Sequence, residues 1–161
     1  MALDAVAACL LGFDIFRGLD PRMIVRIARE TERMVFRDGQ RIAEAGGACD
    51  GAIIVIAGRV RAVADASQDL DEFIVAPGSM IGETAMLTEH TSSLTIVAEG
   101  DVRAVKVLRE SLRGLMEDDP ALAEHFHDRL AARLQRTALE LRMIDERLAV
   151  ASLAASDVKS A

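Results

Sequence analysis

The residues of this chain best suited to chemistry lie in one segment, residues 78–98, which we call the cassette. It contains the pair Gly82-Glu83 and, after a short turn, the pair Ser92-Ser93. Glycine lets a backbone turn and expose its N–H groups, and a buried carboxylate beside it requires a hydroxyl or a cation as partner. These residue types predict a site for the sugar and the phosphate of a small molecule.

Other kinds of site have little support in the sequence. Cys9 and Cys49 are far apart and form no Cys-x-x-Cys motif, so we expect two buried, reduced thiols and no iron–sulfur cluster. His125 and His127 lie two residues apart on a predicted helix, which points their rings about 200° apart and predicts no metal site. With no nucleophile beside a base and no glycine-rich nucleotide loop, we expect that the chain is not an enzyme.

The composition narrows the class of protein further. The 161 residues, of which 51% are hydrophobic and 28% charged, fit one globular domain. Five Phe with no Trp or Tyr offer few platforms for stacked bases, and a net charge of −7 opposes binding to a phosphate backbone. The N-terminal residues lack the basic region of a secretory signal, and no apolar run is long enough to span a membrane. We therefore expect a cytoplasmic protein that binds no membrane.

The periodicity of apolar residues predicts an α+β fold. Apolar residues recur with helical spacing at both ends of the chain and with period two in the middle, where glycine-containing turns separate short segments. Such segments are typical of an antiparallel β-roll, or double-stranded jelly roll. The predicted regions are N-terminal helices (1–30), the β-roll with the cassette (31–108), C-terminal helices (109–150) and a disordered tail (151–161).

Local signals predict where several elements begin and end. Asp20-Pro21 and Asp119-Pro120 each predict a helix start, with Asp as the cap and Pro in the first turn, where no N–H is needed. Gly58 and Gly100 predict turns between strands.

The second of these helices is long and carries an apolar stripe. At roughly 30 residues it would extend about 45 Å, more than one small β-roll covers. We therefore expect the stripe to pair with that of a second copy in a homodimer. The stripe, which we call the seam, alternates three- and four-residue spacings and consists of Leu130, Leu134, Thr137, Leu141, Ile144 and Leu148.

Several motifs, taken in order, resemble those of the cyclic-nucleotide-binding domain family. Residues 16–21 (Phe-Arg-Gly-Leu-Asp-Pro) are similar to its entry motif, residues 37–42 to a turn before its second strand, and residues 53–60 to a strand ending in Gly-x-Val. The cassette resembles the family's phosphate-binding cassette, and the long helix resembles that of catabolite-activator-type bacterial regulators. The resemblance implies a regulatory domain that senses a ligand and passes a signal through a dimeric helix.

Regulators of that type continue into a helix-turn-helix domain that binds DNA. This chain ends soon after its long helix, so we expect no recognition helix in it. Together with the negative net charge, this leads us to expect no direct DNA binding by the chain. The sequence leaves open whether the chain is a complete protein or part of a larger one, and whether it acts on a protein partner downstream.

The resemblance also implies roles for individual residues. Gly82 and Glu83 match the positions at which the family binds the ribose 2′-hydroxyl, and Thr84 follows them in the predicted site. Ser93 matches a hydroxyl that contacts the cyclic phosphate. Thr137 matches a threonine that the long helix offers to the base across the dimer. The implied ligand is a cyclic nucleotide, cyclic AMP or cyclic GMP.

Ser92 departs from the family pattern, because the family places its phosphate-binding arginine at this position. A hydroxyl cannot replace the charge of a guanidinium. Three alternatives follow. Another cation reaches the site, with Arg59, Arg61 and His90 as candidates; the pocket binds a different ligand; or the pocket is empty and the domain is a scaffold for dimerisation or partner docking.

Overall fold

The structure is a computed structural model that describes residues 3–63 and 73–159. The chain divides into two compact units, Met1–Ala123 and Glu124–Ala161. The first unit contains the N-terminal helices, the strands and the cassette, and the second contains most of the last helix. The four helices are α1 (Leu3–Leu11), α2 (Pro21–Arg29), α3 (Arg109–Asp118) and α4 (Pro120–Lys159).

The two predicted helix starts are confirmed. Asp20 caps α2 by accepting a hydrogen bond of 2.7 Å from the Arg22 N–H, with Pro21 as the first helical residue. Asp119 accepts a hydrogen bond of 3.1 Å from the Ala121 N–H at the start of α4. Each carboxylate satisfies a backbone donor that has no partner within the helix.

The predicted α+β fold with an antiparallel β-roll is also confirmed. The strands are β1 (Glu32–Phe36), β2 (Arg41–Ala43), β3 (Ala48–Cys49), β4 (Gly51–Val63), β5 (Phe73–Val75), β6 (Met80–Ile81), β7 (His90–Thr91) and β8 (Thr95–Leu108). In the described part of the chain, β8 pairs antiparallel with β1, β2 and β4, and β4 pairs with β5 and β6. The short strands β3 and β7 form a second sheet.

Inward-facing side chains of β1, β4 and β8 form the core of the roll. Val55, Val60 and Val102 are fully buried there, with Phe36 and Ile96 packed beside them. Most of the favourable free energy of a small fold comes from burying such apolar surface. The core holds the sheet in a fixed shape, and the cassette closes one part of it.

The turns predicted at Gly58 and Gly100 were wrong. Both residues lie inside long continuous strands, β4 and β8, whose register shifts on either side of Ala57. Gly58 has a φ of 91°, and a Cβ there would lie 2.4 Å from the Asp101 carbonyl oxygen. Glycine at this point therefore permits a bulge that bends the strand pair, and no turn is needed.

The last helix continues past the end that we expected near residue 150. It reaches Lys159, where the sequence predicted a disordered tail. The segment contains no Gly or Pro and is rich in Ala, the residue of highest helix propensity, which favours continuation. Residues 160 and 161 lie outside the described residues. Among the helices that the structure describes, none is long and apolar enough to cross a membrane.

Candidate ligand site

A cavity of about 490 Å³ lies beside the cassette in the first unit. Its lining comes from β1, β2, β3 and β4, from the cassette and from β8. The volume falls in the range of small-molecule sites, which are typically apolar with a few convergent polar groups. Apolar side chains supply part of this lining, namely Met34, Ile53, Ile81, Leu94 and Ile96.

Gly82 lines this cavity in the conformation that its residue type predicted. Its φ of 70° and ψ of 37° are left-handed, and a 3-10 helix, Glu83–Met86, starts directly after it. The Gly82 carbonyl accepts a hydrogen bond of 2.9 Å from the Ala85 N–H. Ala85 and Met86 are fully buried, so they anchor the short helix to the core. Position 82 therefore requires glycine for its backbone conformation.

Glu83 and Thr84 contribute to this helix, and neither is among the described residues that line the cavity. Both are half-buried. The Thr84 carbonyl accepts hydrogen bonds of 3.0 Å from both the Leu87 and the Thr88 N–H groups, which closes the turn. Their roles towards a ligand stay predictions.

Ser92 and Ser93 both line the cavity, as predicted for the second half of the cassette. The Ser92 hydroxyl donates a hydrogen bond of 2.6 Å to the Leu94 carbonyl, so it is engaged within its own turn. The Ser92 backbone is held independently, because its N–H donates to Gly47 at 2.9 Å and its carbonyl accepts from Gly46 at 2.8 Å. Ser93 is exposed in addition to lining the cavity, so a ligand can reach this residue.

Of the three substitute cations proposed from the sequence, only His90 lines the cavity in the described part of the chain. Arg59 forms a salt bridge of 3.3 Å with Glu99 on the neighbouring strand. Arg61 is exposed and lies opposite Ile74 and Val97 in the sheet register. The arginines were therefore the wrong candidates, because β4 carries them away from the cavity.

Two cations that the sequence analysis missed do line the cavity. Lys106 Nζ lies 2.6 Å from Asp50, and its side chain is only 15% exposed. Arg41 lies 2.6 Å from Glu44, and both of these side chains are about two-thirds exposed. The period-two alternation of β8 could have indicated Lys106, because Val102 and Ala104 precede it on the same face.

The two partners of the Lys106–Asp50 pair differ in environment. The hydrogen bond from Lys106 lowers the pKa of the Asp50 carboxyl, and burial opposes this only in part. Asp50 is 64% exposed, so water screens its side of the pair, whereas the Lys106 side chain is mostly buried.

Arg109 connects the cavity wall to the start of α3. Its Nη1 donates hydrogen bonds to the carbonyl oxygens of Cys49 at 3.0 Å, Ala85 at 3.2 Å and Thr88 at 3.0 Å. Its backbone N–H donates to the Asp50 carbonyl at 2.8 Å. Arg109, the first residue of α3, thus joins this helix to the β3–β4 link and to the 3-10 helix of the cassette.

The sequence matches the model of the family described as cyclic nucleotide-binding domain over residues 33–119, which is more than half of the chain. The chain belongs to the cyclic-nucleotide-binding domain family. It is 33% identical over 128 residues to the CRP-like cAMP-activated global transcriptional regulator of Mycobacterium tuberculosis, covering 76% of this chain and 56% of that relative. The chain thus spans little more than half the length of this relative.

Solved structures share the fold. Thermus thermophilus catabolite activator protein is 26% identical with a TM-score of 0.63, covering 81% of this chain and 62% of that one. The N-terminal domain of a Streptomyces coelicolor transcriptional regulator is 19% identical with a TM-score of 0.72, covering 80% of this chain and 92% of that one. At that identity the second match shows the fold alone.

The remaining predicted residues of this family member lie on α4, in the second unit. Thr137 is exposed there, and so are the seam residues Leu134, Leu141, Ile144 and Leu148, while Leu130 is partly buried. Their roles at a ligand and at a dimer interface stay predictions. Cys9 and Cys49 are free thiols, half-buried where we expected buried ones, and burial raises the pKa of the Cys9 thiol.

Proposed function

We propose that this chain is the ligand-sensing domain of a regulator, in which a small molecule binds in the cavity beside the cassette. The carrying observation is that a cavity of about 490 Å³ is lined by Gly82, Ser92 and Ser93 in a chain of the cyclic-nucleotide-binding domain family. The name of the Mycobacterium tuberculosis relative, a cAMP-activated transcriptional regulator, supports a regulatory role.

We propose further that the signal leaves the domain through a homodimer of α4. Four large apolar side chains of the seam are more than half exposed in the described part of this helix, namely Leu134, Leu141, Ile144 and Leu148. A seam of this spacing buries its apolar face when two helices pair. A ligand that binds the dimer and the monomer with different affinities changes the dissociation constant of the dimer. By linkage, dimerisation changes the affinity for the ligand by the same factor.

Cyclic AMP and cyclic GMP bind this cavity weakly, because position 92 supplies a hydroxyl where the family has arginine. Losing one partner of a buried charge pair costs about 2–5 kcal/mol, which is roughly 30-fold to several-thousand-fold in affinity. The Ser92 hydroxyl is also engaged with the Leu94 carbonyl. Isothermal titration calorimetry tests this prediction, and a submicromolar dissociation constant for either nucleotide contradicts it.

A thermal-shift screen of small metabolites, followed by calorimetry and sedimentation velocity, tests the whole proposal. We expect at least one small molecule to raise the melting temperature and to change the dissociation constant of the dimer. A dimer that no small molecule stabilises or alters overturns the sensing role. It favours the second candidate, a dimerisation or partner-docking scaffold, which the engaged Ser92 hydroxyl and the exposed seam also support.

A further inference from the structure

Lys106 occupies a position where the fold calls for an apolar side chain. Successive inward-facing residues of β8 are Val102 and Ala104, both buried in the core, and Lys106 is the next residue on that face. Its register partner on β4 is Ile53, which is 8% exposed and lines the same cavity. A valine or isoleucine would extend the core here, so the ammonium group is costly unless it is paired.

The two partners of the Lys106–Asp50 ion pair differ in their exposure to solvent. Asp50 lies 2.6 Å from the ammonium group but is 64% exposed, while the Lys106 side chain is 15% exposed. The carboxylate can therefore rotate into water when another anion takes its place, because water solvates it well once it leaves. The Lys106 side chain is mostly buried, so it has less freedom to turn into water. A second anion entering the cavity competes with Asp50 for a cation that stays in place.

The choice of lysine is also unusual within this chain. Of the 19 cationic side chains only Lys106 and Lys159 are lysines, and all others are arginines. The ammonium is a compact charge with three donors on a flexible stem, and it binds an oxyanion without the planar matching that arginine requires. The second cation of the lining, Arg41, is 65% exposed and paired with Glu44, so solvent screens it more strongly.

We infer that Lys106 is the anion-binding group of this cavity and exchanges Asp50 for the acidic group of a small organic monoanion, either a carboxylate or a phosphodiester. This inference rests on the proposed sensing function and gives its ligand a class. The apolar part of the ligand packs against Met34, Ile53 and Ile81. In this arrangement the positive charge comes from Lys106 on β8. Ser92, at the position of the family's arginine, supplies none.

The charges of the lining select for a single negative charge. Arg41 and Lys106 are balanced by Glu44 and Asp50, so a monoanion that displaces Asp50 satisfies Lys106 and leaves a displaced carboxylate at the mouth. A second negative charge on the ligand meets that carboxylate and is repelled. A cyclic nucleotide and a small carboxylic acid each carry one negative charge, so the experiment must distinguish between these two classes of ligand.

The scarcity of lysine makes the inference directly measurable. In protein labelled with ¹³C at the lysine side chains, NMR shows two sets of Cε signals, which a Lys159→Arg variant assigns. We expect the Lys106 signals to shift saturably on addition of cyclic AMP or of butyrate, with the Lys159 signals unmoved. Sodium chloride at matched ionic strength is the control, and the anion that saturates at lower concentration identifies the source.

Variants separate this role from a structural one. Lys106→Met should weaken binding of the responding anion by about tenfold or more, while Lys106→Arg keeps the charge and most of the affinity. Arg103→Met is the matched control, because it removes one positive charge from the exposed face of the same strand. Asp50→Asn should raise the affinity several-fold, because it removes the competing carboxylate, and this holds even if Lys106→Met does not fold.

Three outcomes overturn the inference, and the thermal-shift screen separates its failure from that of the proposed function. Equal anion affinity in wild type and Lys106→Met, or weaker affinity in Asp50→Asn, removes Lys106 from the ligand site and leaves the proposed sensing function intact. Unmoved Lys106 signals with both anions at millimolar concentration also overturn it. If the thermal-shift screen finds no stabilising small molecule either, the proposed function falls as well.

Discussion

At the scale of single residues, position 92 is held by its backbone and is therefore open to substitution. Its N–H and carbonyl bond to Gly47 and Gly46, and only the side chain differs from the family pattern. Ser92→Arg should fold, because these two backbone bonds remain, and should place a guanidinium in the cavity. We expect a gain in cyclic AMP affinity on the order of the 2–5 kcal/mol assigned to such a pair, measured by calorimetry.

Thr91→Arg is the matched control for this variant. It adds the same charge one residue earlier, on an exposed side chain that is not part of the cavity lining, and should leave the affinity unchanged. Adding Glu83→Ala to Ser92→Arg should remove the gain if the carboxylate binds the ribose. A folded Ser92→Arg protein without any gain would mean that the surrounding cavity has diverged too, which favours the scaffold.

Asp50 carries a second prediction at this scale, on stability against pH. Its pKa is lowered in the folded protein by the hydrogen bond from Lys106, with a smaller contribution from the charge of Arg109. The pair therefore stabilises the fold above the unfolded-state pKa, about 3.9 for Asp, and this contribution is lost as the pH falls through the folded value. Below about pH 4, melting temperatures should fall more steeply for wild type than for Asp50→Asn.

Asp101→Asn provides the comparison for that experiment. Asp101 also forms an ion pair, with Arg37 at 3.2 Å, but both partners are exposed. Exposed pairs contribute little because water and salt screen them. This variant should therefore follow the wild-type pH profile, and an identical profile for Asp50→Asn would refute the special role of the Lys106 pair.

At the scale of elements, Arg109 holds together parts of the fold that are distant in sequence. Replacing it by Met keeps the aliphatic stem and removes the donors to Cys49, Ala85 and Thr88. Hydrogen bonds from a charged donor are each worth about 1.5–3 kcal/mol, and water can replace part of them here. We expect Arg109→Met to lower the free energy of unfolding by about 1.5–3 kcal/mol in total, as measured by urea denaturation.

Arg113→Met tests whether this effect is specific. Arg113 lies on the same helix, is 72% exposed and pairs only with Glu117 among the ion pairs described. Its loss should cost less than about 0.5 kcal/mol. Equal destabilisation by the two substitutions would show that Arg109 has no special part in joining the cassette to α3.

The elements also show which parts of the structure the sequence could predict. Both Asp-Pro helix starts depend on groups within one turn, so local residues were sufficient. Gly58 and Gly100 looked like turns, but a positive φ is compatible with a bulge as well, and only the pairing of β4 with β8 decides between them. Long strands of this kind are a property of two segments together.

The candidate site shows the same division. Gly82, Ser92 and Ser93 line the cavity as the cassette motif predicted. Lys106 was missed because its significance depends on Asp50 and Ile53, which are distant in sequence and adjacent only across the sheet. A lysine at the end of an apolar strand is ordinary on a surface, and only the fold shows that this one faces a cavity.

At the scale of the whole molecule, α4 carries apolar surface that the chain itself leaves exposed. Leu134, Leu141 and Leu148 repeat every seven residues and are each more than half exposed, and Ile144 lies between the last two on the same stripe. Leu139 and Met143 are equally exposed but lie off this stripe. A homodimer through the seam explains the regular set, because a seven-residue repeat is the spacing that coiled-coil pairing requires.

Leu141→Glu and Leu139→Glu provide a matched test of that dimer. The two leucines are 57% and 60% exposed, and replacing either by glutamate is the same chemical change. They lie about 200° apart around the helix. Glutamate at 141 places an unpaired charge in the seam of both copies, so the dimer should dissociate, whereas glutamate at 139 faces away and should leave it intact. Sedimentation velocity at tens of micromolar separates the outcomes. A wild-type monomer, or equal dissociation by both variants, would refute a seam dimer and with it the proposed route of the signal.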